Sequence, residues 1–263
     1  MFELFTRGNT LPEAYHSALE ALHGSHDIVP CPDYNTTQKE ASLTFVVAEP
    51  MREPMISRLF VGEPRSLEQY RQEMLDGILD FLVRDDGDGE SPSASQEERG
   101  NWEYTYHARM ADQIPWVVDE LRRNPDSRRA VISTRDKRDM ESGSPACLQS
   151  MQFFIRGEGG SRALHCKVLF RSNDAAKAAF MNAFALIMLQ ERIAKQLGVA
   201  VGSYTHRANS FHVYERDFEL LDGYVNRIRS GAETTYSYVG DWDERMSDER
   251  DAIDEMVKSL RGR

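Results

Sequence analysis

The stretch SPACLQSMQFFIRG, Ser144 to Gly157, places Cys147 five residues ahead of a Gln that opens an apolar run. Cys147 is either a small hydrophobe at the start of a buried strand or a nucleophile. As a thiolate it would be soft and strongly nucleophilic, and nearby arginines would lower its pKa. Several polar residues sit where a simple core would not put them. Arg171, Ser172, Asn173 and Asp174 follow the apolar strand VLF. Asp174 has a structural reading as the N-cap of the helix that follows, while an arginine at a strand end beside a helix is a standard place to hold a phosphate. Asn182 lies eight residues past Asp174 in an otherwise apolar stretch, where an amide is costly unless paired. It is a core hydrogen-bonder or a ligand reader. His212 and Tyr214 alternate along a strand and share a face. Arg128 and Arg129 open another strand after a turn, as a surface pair or an anion contact.

The rest of the chain bounds what such a cluster could serve. A net charge of −11 excludes a general nucleic-acid binder but not a pocket of converging arginines for a small anion. Three cysteines, widely spaced and without a C-x-x-C pair, argue against a disulfide framework or a zinc site and for a reducing cytoplasm. No apolar run is long enough to span a bilayer, and MFELFTRGN lacks a signal-peptide pattern.

The elements that must position these residues follow from periodicity. Apolar residues at 67, 70, 74, 75, 78, 79 and 82 predict a helix over 66–83, and QIPWVVDELRRNP predicts another that stops at Asn124-Pro125. RRAVIST, MQFFIR and ALHCKVLF read as strands, with short strands near GSYTH and at FHVY. Asp174 to Leu197 reads as a long helix, apolar nearly all round and therefore central, closed by Gly198. The acidic Gly/Ser-rich stretch 85–101 reads as a mobile surface loop, a lid or a disordered insertion, and a charged helix from about Ser247 ends the chain. This mixture, without strict βαβ alternation, predicts one α+β domain over 1–263.

Taken in order, these segments resemble the thymidylate synthase superfamily, most clearly from about Trp102 to Asp217. DQI and NPDSRR resemble the family's helix and its dimer-crossing arginine turn. PACLQSMQF carries a cysteine placed like the family's nucleophile, FRSND is similar to the R-S-x-D phosphate motif, and Asn182 stands where the base-reading Asn does. FHVY is like the family's H-x-Y, and Tyr104 and Arg109 in YTYHAR keep the spacing of its Y-x-x-x-x-R element. The resemblance implies a mixed sheet packed with a long central helix, and two sheets back to back across an obligate homodimer with shared active sites. It implies that Cys147 attacks C6 of a pyrimidine nucleoside monophosphate, so that C5 captures a one-carbon unit from 5,10-methylenetetrahydrofolate. Arg171 with Ser172 and Asp174, and the partner's Arg128 and Arg129, would serve the 5′-phosphate. His212 and Tyr214 would bind the sugar hydroxyl, and Tyr104 would help remove the C5 proton.

The departures bear on the outcome. Leu148 follows the cysteine where thymidylate synthases proper have His. NTTQKE, Asn35 to Glu40, stands in place of an Arg-Thr-Gly loop, with Lys39 as a substitute phosphate contact. Glu73 resembles the family's catalytic glutamate, with Glu68 as the alternative. No Trp stands at the family's distance before Tyr104, and the tail KSLRGR is not apolar, so water would trap the intermediate in place of hydride. The expected reaction is therefore 5-hydroxymethylation of CMP or dCMP, as in the superfamily's hydroxymethylases. Reductive methylation of dUMP is the second reading, and a non-catalytic nucleotide-binding protein the third. An Asn amide suits cytosine or uracil by flipping, so its neighbours decide.

Overall fold

The computed structural model describes residues 3–25, 27–83, 102–240 and 242–262. An eight-stranded mixed sheet forms the frame. Its path runs β1 (Glu3–Gly8), β3 (Thr36–Val47), β9 (Ala200–Tyr214), β7 (Ala163–Phe170), β6 (Leu148–Arg156) and β5 (Val131–Ser133). β2 (Ile28–Cys31) pairs with β3, and the two-residue β8 (Asn173–Asp174) pairs with β9. A separate ribbon joins β4 (Ile56–Ser57) to β10 (Thr235–Tyr236). β1–β3, β7–β9 and β8–β9 are parallel and the rest of the main sheet is antiparallel, which bears out the α+β expectation.

One face of the sheet carries the core. α1 (Leu11–Gly24) packs on β1 and β3, and α5 (Ala179–Leu197) packs on β7 and β9. α5 is buried on almost every side, as its composition predicts, and Gly198 closes it in the left-handed region at φ 67°. The opposite face of the central strands holds Ser150, Gln152, Phe154, His165, Lys167, Ser203, Thr205 and Arg207, all half-buried or exposed.

Three predicted boundaries move. The helix expected over 66–83 is α2 (Pro64–Asp76), and it stops because Gly77 turns left-handed at φ 62°. A Cβ at Gly77 would strike the side chains of His107 and Asp80, and the left-handed φ adds strain, so the turn favours glycine. The strands near GSYTH and FHVY are one strand, β9, with an irregularity between the pairs Leu43–Ala208 and Ala41–Phe211. The long helix begins at Ala179 rather than Asp174, with Ala178 in the N-cap position. Asp174 instead pairs with His212 in β8–β9, and its carboxylate accepts from the N–H groups of Ala176 and Lys177, both at 3.0 Å.

The helix before Asn124-Pro125 is α4 (Gln113–Arg123), preceded by the short α3 (Tyr106–Met110). α6 (Phe218–Arg229), α7 (Trp242–Arg245) and α8 (Ser247–Arg261) complete the chain, α8 starting where the sequence predicts. The acidic stretch 85–101 lies outside the described residues.

Candidate active site around Cys147

Cys147 is half-buried at the entrance to β6. Arg171, just past the end of the neighbouring β7, encloses it. The Arg171 N–H donates to the Cys147 carbonyl at 2.8 Å, and the guanidinium donates to the carbonyls of Pro145 (2.7 Å) and Ala146 (3.2 Å). Burial pushes the Cys147 thiol up, and the Arg171 charge pulls it back down. On the other side the Leu148 N–H donates to the Tyr106 hydroxyl at 3.2 Å, tying α3 to the same strand end. Leu148 itself is fully buried.

The turn after α2 positions the Tyr104–Tyr106 segment. The Asp80 carboxylate accepts from the Thr105 hydroxyl and lies 2.6 Å from His107 Nδ1, while Thr105 caps α3 by accepting from the Ala108 N–H at 3.0 Å. Arg109 lies over the Tyr104 ring at 4.1 Å and forks onto Asp139 at 2.7 and 2.6 Å. The Tyr70, Tyr104, Tyr106 and Tyr214 hydroxyls all lie close enough to Cys147 for its charge to bear on them, and burial raises the pKa of each. They are therefore neutral donors and acceptors, not phenolates.

A cleft of about 250 Å³ opens beside this cluster, lined by Tyr70, Glu73, Met74, Trp102, Tyr104, Thr105 and Tyr106. Glu73 faces it, with a pKa raised by burial against a 2.8 Å hydrogen bond from Gln69. Glu68 does not. It is fully buried and accepts from Arg71, Gln72, Trp242 Nε1 and Arg250; against the desolvation, Arg71, Arg250 and Trp242 hold its carboxylate down at about 2. That knot ties α2 to the C-terminal helices and removes Glu68 as a candidate base.

Trp102 also borders the cleft, two residues before Tyr104 and so at another spacing than the family's tryptophan, and it packs against the cluster formed by Leu79 with Ile253 and Val257 of α8. Lys258 to Arg261 of the polar-looking tail belong to an amphipathic helix, α8, whose apolar side backs this wall.

Asn182 sits in the first turn of α5, 6 % exposed, and its Oδ1 accepts from the Tyr70 hydroxyl. His212 is buried, with Nδ1 at 3.3 Å from the Ser210 hydroxyl and 3.5 Å from that of Ser172. Its Nε2 has no partner among the described residues, and burial lowers its pKa while raising that of the neighbouring Asp174. The Tyr214 ring meets His212 edge-on at 4.8 Å. Opposite them in the β3–β9 pairing stand Glu40 and Gln38, so NTTQKE does border the site, but it presents a carboxylate and an amide. Lys39 is not the substitute cation: its Nζ donates to the carbonyls of His23 and Ser25 at the end of α1.

Arg128 and Arg129 are the residues that one chain does not bring together with Cys147. Both are exposed at the start of β5, Arg129 paired with Glu120 at 2.9 Å. The Arg128 carbonyl accepts from Gln152, five residues along β6 from Cys147, which is about 17 Å of extended strand.

Comparison with known proteins agrees with this geometry. The family model described as thymidylate synthase matches residues 82–256. The chain belongs to the thymidylate synthase family. A protein of Methanocaldococcus jannaschii named "Putative thymidylate synthase" is 34 % identical over 73 % of this chain and 83 % of its own length. One of the same name from Methanosarcina barkeri is 24 % identical over 84 % and 94 %. One-carbon transfer to a pyrimidine is the chemistry of this thymidylate synthase family. Among the described residues, no helix is long and apolar enough to cross a membrane.

Proposed function

We propose that the chain transfers a one-carbon unit from 5,10-methylenetetrahydrofolate to C5 of a pyrimidine nucleoside monophosphate through a covalent Cys147–C6 adduct, and that the outcome is reductive methylation of dUMP. The observation that carries the outcome is Trp102 in the wall of the aromatic cleft, backed by α8. The folate supplies the one-carbon unit and, in this outcome, the hydride. The flat aromatic lining of the cleft suits a pterin ring and keeps water from the exocyclic carbon.

Each residue then has a role. Arg171 favours the Cys147 thiolate and offers charge to the phosphate. Glu73, whose pKa burial raises, relays protons at the base, and Tyr104, as a neutral hydrogen-bond partner, helps remove the C5 proton. Asn182 reads the base. Ser172, His212 and Tyr214 line the phosphate and sugar end, with the unpartnered His212 Nε2 directed to a sugar hydroxyl, and Asp174 holds the turn they share. Arg128 and Arg129 come from a second copy, docked through the sheet face that holds Gln152, Lys167 and Arg207, since they lie five residues of strand away from their own Cys147. The names of the relatives point the same way.

A second reading, 5-hydroxymethylation of CMP or dCMP, is favoured by one observation. Leu148 is apolar and fully buried beside the nucleophile, where thymidylate synthases proper have His. Mass spectrometry of the nucleotide product decides between them: a methyl group on dUMP supports the first reading, a hydroxymethyl group on a cytidylate the second.

A further inference from the structure

We infer that Tyr70 is a positioning residue that locks the Asn182 amide in one orientation and so selects uracil over cytosine. The inference rests on the reading of Asn182 as the base contact. Tyr70 lies one turn before Glu73 on α2, in the wall of the same cleft, and its hydroxyl donates to Asn182 Oδ1. No other hydrogen-bond partner of the Tyr70 hydroxyl is found among the described residues.

An asparagine amide carries a donor end and an acceptor end of nearly equal shape, and its surroundings decide which faces a ligand. Burial keeps the Tyr70 phenol protonated, so it is a standing donor. Turning the amide over would set the Asn182 NH₂ against that hydroxyl. The phenol oxygen could accept, but its hydrogen would then be left without an acceptor in a buried site. The amide oxygen therefore stays on Tyr70, and the NH₂ group, which has no partner among the described residues, is the end left for the ligand. A donor at this position pairs with the O4 carbonyl of uracil and opposes the exocyclic amino group of cytosine. A flipped amide would do the reverse.

The test compares Tyr70→Phe with the wild-type protein in titration calorimetry against dUMP, dCMP, UMP and CMP. Fraction folded and overall affinity cancel in the uracil-to-cytosine ratio taken at constant sugar, so a merely structural loss leaves that ratio unchanged. The wild type is expected to favour uracil by about tenfold or more, one well-made hydrogen bond. Tyr70→Phe is expected to bring the ratio to within about threefold of unity, because the amide can then turn. A ratio that survives in Tyr70→Phe, or a wild type that prefers cytosine, overturns the lock. A wild type that binds none of the four overturns the nucleotide reading itself, and the lock with it.

Discussion

Arg171 donates its backbone N–H to the carbonyl of Cys147 at 2.8 Å while its guanidinium spans the carbonyls of the two residues before it. One side chain thus holds the nucleophile's loop and lowers its thiol. Burial acts more strongly in the opposite direction, so the Cys147 pKa stands above its ordinary value. Alkylation by iodoacetamide, measured in a Cys31→Ser background, should therefore rise with pH and level off only above the range of a free thiol. Arg171→Gln should shift that profile to higher pH, and Arg171→Lys should shift it less. Cys166 is fully buried and stays silent. An unchanged profile in Arg171→Gln would disprove the electrostatic role.

Trp102→Ala should leave C6 attack in place and change what captures the exocyclic carbon. The expected result is a shift from methyl to hydroxymethyl product, read by mass spectrometry, with tritium release from 5-tritiated nucleotide reduced by less than about tenfold. A variant that makes only methyl product at a lower rate would show that Trp102 packs without shielding.

The Glu68 knot should set the acid limit of the fold. Its pKa is held at about 2, below the unfolded value near 4.5, so its stabilisation is present above 4.5 and is lost as pH falls toward 2. Glu68→Ala should destabilise the wild type by about 3–5 kcal/mol at neutral pH, since Arg71 and Arg250 lose a buried partner. It should also flatten the decline between those pH values. Thermal unfolding across pH 2–6 checks both.

Gly77→Ala should destabilise by at least about 1 kcal/mol, for strain at positive φ and for the clash with His107 and Asp80. Because that turn also places Tyr104, activity should fall further than Tm alone explains. Equal retention of Tm and activity would show that the turn relaxes.

Much of this was legible in the sequence because the informative residues lie where local pattern and tertiary role agree. The apolar composition of α5 and the Asn124-Pro125 stop are both found in the structure. The errors have physical causes. Gly77 looked like one weak position in a helical period, but its left-handed turn is what aims Asp80 at Thr105 and His107. The Asp174 carboxylate does accept backbone N–H groups, as a cap would, but it does so one turn before the helix starts. The place of Trp102 in the cleft has no local signature, because it depends on α8, far along the sequence. Glu68 and Glu73 share a helix, and only their partners separate the knotted carboxylate from the one facing the cleft. The N-terminal helix α1 does carry a local signature, the reciprocal cap that Thr10 and Glu13 form at its start.

The central claim is the covalent Cys147 adduct that activates C5. The most direct measurement is tritium release from 5-tritiated dUMP in the presence of 5,10-methylenetetrahydrofolate, with intact-protein mass spectrometry of the trapped complex. The account predicts release by the wild type, an adduct that maps to Cys147, and loss of both in Cys147→Ser with nucleotide binding retained. Tritium release that persists in Cys147→Ser, or an adduct on another residue, would contradict it.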